Sequence, residues 1–229
     1  MIRAGEYLVV FAGAALLSLG LTPIAVRVAR RYHLLDHPGA HKSHSEAVPY
    51  LGGAAILLAF LLTAGIGGVV LRIPAGRQEL GVVLLAAALL TGVGLLDDLY
   101  GLGLRFRLLA EVAAGGAVLF AGAGAQLTTH AWLNAVITIG WIVGITNAFN
   151  LLDNMDGLSA GVALIAAAAF FVLAASNGQF LVATLAAGVV GVSLGFLRHN
   201  AHPARIYMGD AGALLLGFLL AYIGLKIEF

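Results

Sequence analysis

Long apolar runs without a single charge recur along this chain, and they constrain its fold more than any other feature. A helix that crosses the hydrocarbon core of a bilayer needs about 20 mostly apolar residues. None of these runs alternates polar and apolar residues as barrel strands do, so they predict transmembrane helices. The runs are residues 7–26, 51–71, 80–96, 112–129, 131–152, 157–197 and 211–225.

The run at 157–197 is 41 residues long, which is too much for one span. The polar turn Ser176-Asn177-Gly178-Gln179 divides it in two, so the sequence predicts about eight spans. The first run lacks the cleavage pattern of a signal peptide and is expected to remain as a helix. The predicted fold is therefore an all-α, polytopic transmembrane helix bundle that forms one integral-membrane domain over residues 1–229. The glycine pairs Gly157/Gly161 and Gly191/Gly195 predict close helix packing.

The composition excludes several other classes of protein. Charged residues make up 10% of the chain, whereas a soluble domain carries about 25%. A soluble enzyme and a disordered protein are therefore excluded. The net charge of +1 supplies no basic field for nucleic acid. The absence of cysteine removes disulfides, thiolate catalysis and cysteine-bound metals.

The positions of Lys and Arg predict the orientation, because cytoplasmic loops carry the excess of these residues. With eight alternating spans, four basic residues fall on the side that also holds both termini: Arg3, Arg72, Arg77 and Lys226. The other eight fall on the opposite side: Arg27, Arg30, Arg31, Lys42, Arg105, Arg107, Arg198 and Arg205. That second side is predicted to be cytoplasmic, with both termini on the non-cytoplasmic side.

The acidic residues follow the same asymmetry. Ionisable groups at membrane depth are costly and suggest a functional site, although Asp is also a common helix cap. Capping explains one or two of these residues better than it explains three groups on one face. Eight of the eleven acids map to the cytoplasmic side: Asp36, Glu46, Asp97, Asp98, Glu111, Asp153, Asp156 and Asp210.

The doublet Asp97-Asp98 ends the apolar run at 80–96. Two adjacent carboxylates raise one another's pKa unless a cation is present. A divalent metal, Arg105 or Arg107 could supply that charge. A solvated helix end is the alternative interpretation.

Polar side chains recur every three residues in the next group, at Asn147, Asn150, Asp153 and Asp156. On an α-helix each step of three drifts by about 60°, and on a 3₁₀ turn the side chains eclipse. In either case amides and carboxylates project together toward a nucleotide or a metal. Gly157 permits a break before the next span. A polar turn between two spans is the alternative, but it does not explain the period.

The third group is Gly209-Asp210-Ala211-Gly212, which opens the last run. A helix N-terminus attracts phosphate through its free N–H groups, and the anionic Asp210 fits there if a metal bridges it to a phosphate. Oxygen ligands without cysteine favour Mg²⁺ or Mn²⁺ over zinc. A plain N-cap is the alternative.

The first predicted cytoplasmic loop holds four of the seven histidines, His33, His37, His41 and His44, with Lys42 among them. Their spacing matches no standard zinc pattern. A His/Lys segment beside carboxylates is better interpreted as handling phosphates. The alternative is that these residues only reflect the general enrichment of basic residues in cytoplasmic loops.

Four motifs, in order, resemble those of the polyprenyl-phosphate N-acetylhexosamine-1-phosphate transferases of glycosyltransferase family 4. The first loop carries Asp36-His-Pro, Lys42-Ser-His and Pro49-Tyr-Leu-Gly-Gly, and Leu95-Leu-Asp-Asp-Leu-Tyr-Gly resembles the Asp-Asp motif. The block Asn147-Ala-Phe-Asn-Leu-Leu-Asp-Asn-Met-Asp-Gly-Leu and the block Pro203-Ala-Arg-Ile-Tyr-Met-Gly-Asp-Ala-Gly are similar to the remaining two. Together the four motifs are highly specific, although each one alone is weak.

The resemblance implies an enzyme that transfers an amino-sugar 1-phosphate, such as N-acetylglucosamine 1-phosphate, from a UDP-sugar to undecaprenyl or another polyprenyl phosphate. UMP is released, as the first membrane step of cell-wall or surface-polysaccharide synthesis, including lipopolysaccharide. By the same resemblance Asp210 binds Mg²⁺, with Mn²⁺ as an alternative, and Asp98 shapes and shares that site. Asp97 is the base toward the lipid phosphate. The nucleotide and metal are positioned by Asn150, Asp153 and Asp156, and substrate is also bound by Lys42, His44, Asn147 and Arg205.

The resemblance also implies the inner (plasma) membrane, a cytoplasmic active site and a possible homodimer. Direct attack by the lipid phosphate and a covalent aspartyl intermediate both remain open. Gly101 stands where members specific for the muramyl-pentapeptide nucleotide usually carry Lys, which favours the simpler amino sugar over that alternative donor. His41 stands where Arg is common.

Family members normally continue for about two more helices with a His-rich loop between them, so the chain is expected to lack these. An inactive truncated scaffold is one alternative function. An ion-coupled transporter is another, but its acids should lie near mid-span.

Overall fold

The computed structural model describes residues 4–36, 47–70 and 77–227, and almost all of this chain is helical. Within these residues there are eight helices: α1 (Ala4–Arg31), α2 (Gly52–Val70), α3 (Arg77–Tyr100), α4 (Leu104–Phe120), α5 (Ala131–Leu152), α6 (Leu158–Ser176), α7 (Phe180–Asn200) and α8 (Gly209–Lys226). The prediction of an all-α bundle is confirmed. A two-residue antiparallel pair, which was not predicted, joins β1 (Leu35–Asp36) to β2 (Val48–Pro49).

Six of the described helices are long and apolar enough to cross a membrane, namely α1, α3, α5, α6, α7 and α8. The break between α6 and α7 falls at the predicted polar turn, and Gly157, with φ +72°, precedes α6 as expected. The count of about eight spans stays a prediction, because α4 has 17 residues and the side chains of α2 are described only over its apolar part Gly52–Gly65. The sides on which the termini lie also stay a prediction.

The fourth apolar run was placed wrongly, because the helix lies at Leu104–Phe120 rather than 112–129. The chain leaves the helix at Gly122, where φ is +71°, and residues 121–130 form turns and irregular backbone. The helix instead begins before Arg105 and Arg107, which a search for charge-free runs excludes. Within the helix, the charge of Arg107 is compensated by the carboxylates of Asp97 and Asp210 from other elements.

Two helices, α7 and α8, lie at the centre of the bundle. In each, 72% of the most apolar 18-residue window is buried, against 22–33% in the other four candidate spans. A Cβ at Gly191 or Gly195 would clash with the backbone of α1, so these glycines allow the close packing that was predicted. The same prediction is wrong for Gly161, where a Cβ would have open space.

Close backbone contacts hold the start of α8 against two other elements. The amides of Gly52 and Gly53 donate to the carbonyl oxygens of Tyr207 (3.0 Å) and Met208 (2.9 Å), and the Tyr207 amide donates to Pro49 (2.8 Å). On α3, a Cβ at Gly94 would lie 2.6 Å from the Ala211 nitrogen. The first turn of α8 is therefore fixed between the start of α2 and the last turns of α3.

Candidate active site

Four aspartates from three helix ends form a carboxylate cluster, which consists of Asp97, Asp98, Asp153 and Asp210. The first two lie in the last turn of α3, Asp153 directly follows α5, and Asp210 lies in the first turn of α8. The sequence placed these residues on one face, and the structure brings them together. Asp97 and Asp98 leave the same helix at different angles, so they have different partners.

Asp98 binds the N-terminus of α8. Its Oδ1 accepts from the Asp210 amide at 3.0 Å, and its Oδ2 accepts from the Ala211 amide at 3.2 Å. A carboxylate is favourable there because the first N–H groups of a helix lack partners within the helix. These two N–H groups were expected to be free for phosphate, but they are bound by Asp98. Gly209 makes the approach feasible, since its φ is +66° and a Cβ there would lie 2.5 Å from Asp98 Oδ2.

Arg107 is the cation that contacts the cluster. Its Nη1 forms an ion pair with Asp97 Oδ2 at 3.2 Å and a second with Asp210 Oδ2. Asn150 completes the arrangement, because its Nδ2 donates to Asp210 Oδ1 at 2.6 Å and its Oδ1 accepts from Arg107 at 3.4 Å. The remaining oxygen of Asp97 accepts from the Gly103 amide at 2.9 Å. The sequence had named Arg107 only as one candidate for charge compensation.

Asp153 lies deep in the cluster. Burial, followed by the nearby charges of Asp98 and Asp210, raises the pKa of its carboxyl to about 8, and a hydrogen bond with the Gly209 backbone opposes this rise. A carboxyl with such a pKa retains a proton near neutral pH. Within the described residues, the cluster therefore contains more carboxylates than the guanidinium of Arg107 neutralises.

A second polar layer lies one helical turn below Arg107 and Asn150. Asn147, three residues before Asn150 on α5, donates from Nδ2 to Glu111 Oε2 and to the Val143 carbonyl. Glu111 follows Arg107 by four residues on α4 and is fully buried. The sequence had predicted Asn147 as a substrate contact and had given Glu111 no role. The four-residue spacing of Arg107 and Glu111 and the three-residue spacing of Asn147 and Asn150 could have indicated this layer, because residues so spaced lie on the same face of a helix.

Asp156 and Arg205 lie apart from the contacts of Asp210. Asp156 Oδ2 accepts from the Ala204 amide at 3.0 Å and lies 2.9 Å from His202 Nδ1, which ties the α5–α6 turn to the α7–α8 loop. Both residues line a cavity of about 930 Å³ that also contacts Arg27 and Arg30 of α1. Arg27, Arg30 and Arg205 form no ion pair within the described part of the chain. Lys42 and His44, which were predicted to bind substrate, lie outside the described residues.

The donor set fits a hard cation by its chemistry. Asp97, Asp98, Asp153 and Asp210 offer only oxygen, which Mg²⁺ and Mn²⁺ prefer. The pKa of Asp153 is raised first by burial and then by the neighbouring charges of Asp98 and Asp210. However, no three His, Asp or Glu side chains among the described residues are already arranged around one metal position. Arg107 and the α8 amides take the carboxylate oxygens instead.

The match to known proteins follows the same residues. The family model described as Glycosyl transferase family 4 matches residues 80–228, which is more than half of the chain and includes the whole carboxylate cluster. The chain belongs to glycosyl transferase family 4. The predicted resemblance to this family is thereby confirmed, and the last three of the four motifs lie within the matched residues.

Curated relatives of this family 4 chain carry two kinds of name. One is the probable undecaprenyl-phosphate N-acetylglucosaminyl 1-phosphate transferase of Bacillus subtilis (strain 168), 32% identical over 97% of this chain and 63% of that protein. The decaprenyl-phosphate N-acetylglucosaminephosphotransferase of Mycobacterium leprae (strain TN) is 28% identical over 91% of this chain and 58% of its own length. The phospho-N-acetylmuramoyl-pentapeptide-transferase of Bacillus anthracis (strain A0248) is 30% identical over 96% of this chain and 75% of its own length. The chain thus spans less than two thirds of the length of the Bacillus subtilis and Mycobacterium leprae relatives.

Proposed function

We propose that this family 4 chain transfers N-acetylglucosamine 1-phosphate from its UDP derivative to a polyprenyl phosphate and releases UMP. The observation that carries the proposal is the convergence of Asp97, Asp98, Asp153 and Asp210 with Arg107 and Asn150 at the ends of three helices. The names of the Bacillus subtilis and Mycobacterium leprae relatives support the choice of sugar and of lipid acceptor.

The reaction joins two anions, so the site must position them and neutralise their charge. An oxygen of the lipid phosphate attacks the phosphorus that bears the sugar, and the bond from that phosphorus to the oxygen of UMP breaks. Asp97 accepts a proton from the lipid phosphate, and Arg107 lies beside it to hold a phosphate oxygen. Asn150 orients the Asp210 carboxylate through its hydrogen bond to Oδ1.

Mg²⁺, with Mn²⁺ as its substitute, is proposed to be held by Asp210, with Asp98 and Asp153 beside it. When bound, the ion neutralises the diphosphate of the UDP-sugar and the charge that develops on departing UMP. The nucleotide is proposed to bind in the cavity lined by Asp156 and Arg205, where Arg27 and Arg30 add positive charge for its phosphates. Lys42, His44 and Asn147 remain proposed substrate contacts.

The same geometry favours an enzyme over an ion-coupled transporter. The four aspartates lie at the ends of α3, α5 and α8 rather than near mid-helix, whereas a transport pathway places such groups near the bilayer midplane. The proposed location is the plasma membrane with the carboxylate cluster on the cytoplasmic side, where UDP-sugars are available, and a homodimer is the proposed assembly.

UMP release from purified protein tests this function. With Mg²⁺, UDP-N-acetylglucosamine and undecaprenyl phosphate, we expect UMP to form only when all three are present. Asp210→Ala or Asp97→Asn should lower the rate at least 100-fold, because each removes a charge from the reacting centre. Glu79→Gln, which changes a carboxylate near the opposite end of α3, is the matched control and should retain most activity. UMP release that persists unchanged in Asp210→Ala would contradict the proposal.

The choice of donor needs a separate comparison, because the Bacillus anthracis relative is named for the muramoyl-pentapeptide substrate. Gly101, which directly follows α3, has a φ of +64° and offers no side chain for a larger donor. We therefore expect a higher kcat/KM with UDP-N-acetylglucosamine than with the UDP-muramoyl-pentapeptide. The reverse preference would assign this chain the second activity.

A further inference from the structure

Two buried polar atoms on the same face of α4 have no hydrogen-bond partner within the described chain. One is the Arg107 Nε donor and the other is the Glu111 Oε1 acceptor. Residues four apart on a helix are neighbours, and a carboxylate and a guanidinium at this spacing attract each other. A buried polar atom without a partner is unfavourable, so direct pairing of these two atoms would remove both penalties.

Arg107 is held away from Glu111 by its contacts with the carboxylate cluster. Its Nη1 binds oxygens of Asp97 and Asp210 and the amide oxygen of Asn150. These are oxygens that a divalent cation at Asp210 would also need. A metal ion and the guanidinium in this orientation therefore compete for the same ligands.

We propose that Glu111 is a positioning residue that holds Arg107 in a second orientation when a divalent cation binds the cluster. The inference rests on the proposed metal site. In the second orientation Arg107 Nε donates to Glu111 Oε1, while the η nitrogens turn from Asp210 toward the substrate phosphates. The guanidinium suits this exchange because it has five donors in a fixed plane and never loses its charge.

Asn147 makes Glu111 suitable for this role. Its Nδ2 already binds Glu111 Oε2, which fixes the carboxylate and leaves Oε1 as the available acceptor. A carboxylate that is fully buried with one oxygen unpaired is otherwise unfavourable. The unpaired Oε1 is explained if Arg107 becomes its partner only after a metal ion has displaced Arg107 from the carboxylate cluster.

A double-mutant cycle on metal binding tests the proposal without relying on activity. Mn²⁺ binding to the full chain in detergent is measured by electron paramagnetic resonance for the unmodified protein, Glu111→Gln, Arg107→Gln and the double variant. Glu111→Gln should weaken Mn²⁺ binding roughly tenfold, because Arg107 loses its alternative partner and stays on the carboxylates. In the Arg107→Gln background the same change should alter binding less than twofold.

Equal weakening in both backgrounds would show that Glu111 acts on the metal only as a distant negative charge and would overturn the proposal. No weakening in either background would overturn it as well. If the unmodified chain binds no Mn²⁺, the proposed metal site itself fails, whereas Mn²⁺ binding without coupling removes only the role of Glu111.

Two further variants guard against a merely structural effect. Glu111→Asp retains the charge with a shorter reach and should show intermediate Mn²⁺ affinity, and it carries the comparison if Glu111→Gln does not fold. Glu79→Gln removes a carboxylate that is already bound by Tyr222 and Lys226, and it should leave Mn²⁺ affinity unchanged. Loss of affinity in Glu79→Gln equal to that in Glu111→Gln would contradict a specific role for Glu111.

Discussion

At the scale of single residues, charge balance determines what the site can do. The cluster gathers four carboxylates around one guanidinium, and its deepest member retains a proton because burial and its neighbours disfavour the charged form. A cation that entered would have to displace this proton. We therefore expect protonation of Asp153, pairing of Arg107 and the proposed metal binding to be linked.

The raised pKa of Asp153 predicts how the metal-free protein responds to pH. Its folded value is about 8, whereas an unfolded Asp titrates near 4. Between these two pH values the folded chain therefore holds a proton that the unfolded chain has released. The stabilising contribution of Asp153 is complete below about pH 4 and is lost as the pH rises through about 8. In detergent with a chelator, the melting temperature should decrease as the pH is raised from about 5 to about 9. Asp153→Asn should make this decrease smaller. The same dependence of melting temperature on pH in the variant and the unmodified protein would contradict the raised pKa of Asp153.

At the scale of helices, the apolar runs predicted most of the elements, and errors arose where tertiary contacts override the pattern. The turn at Ser176–Gln179 and the break at Gly157 were found because both use local backbone chemistry. The start of α4 was missed because Arg105 and Arg107 interrupt the apolar run. The charge of Arg107 is compensated by Asp97 and Asp210 on two other helices, which a search for apolar runs does not detect. The Glu111–Asn147 contact was missed for the same reason. The helix ends that carry Asp97, Asp153 and Asp210 were predictable from sequence alone.

One buried side chain joins the two loops beside the site. Asn200 Oδ1 accepts from the Gly157 amide at 3.1 Å, and its Nδ2 donates to the Ile206 carbonyl at 2.9 Å. Asn200→Ala should destabilise the fold by about 1–3 kcal/mol, because it leaves the buried Ile206 carbonyl and the partly buried Gly157 amide without their partner. It should also slow UMP release, since α8 begins three residues after Ile206. Thermal melting and the UMP assay measure the two effects, with Asn154→Ala on the exposed turn as control. A melting temperature equal to that control would contradict this role.

At the scale of the whole molecule, the distribution of charge and the position of the site predict one orientation in the membrane. The carboxylate cluster, the α5–α6 turn and the α7–α8 loop lie at one end of the bundle, where most Lys and Arg residues also fall. The α6–α7 turn lies at the other end of α6. Since cytoplasmic loops are enriched in basic residues, Met155 and Ser176, near opposite ends of α6, should face opposite sides of the membrane.

The chain has no cysteine, so single-cysteine variants report this orientation without background. Met155 is 66% exposed, and Ser176 is exposed at the far end of α6. A membrane-impermeant maleimide should label Ser176→Cys in intact cells but should reach Met155→Cys only in inverted vesicles. The opposite pattern would place the carboxylate cluster outside the cell, away from the UDP-sugar supply, and labelling of both from one side would mean that α6 does not cross the bilayer. Either result would remove the cytoplasmic site on which the proposed reaction depends.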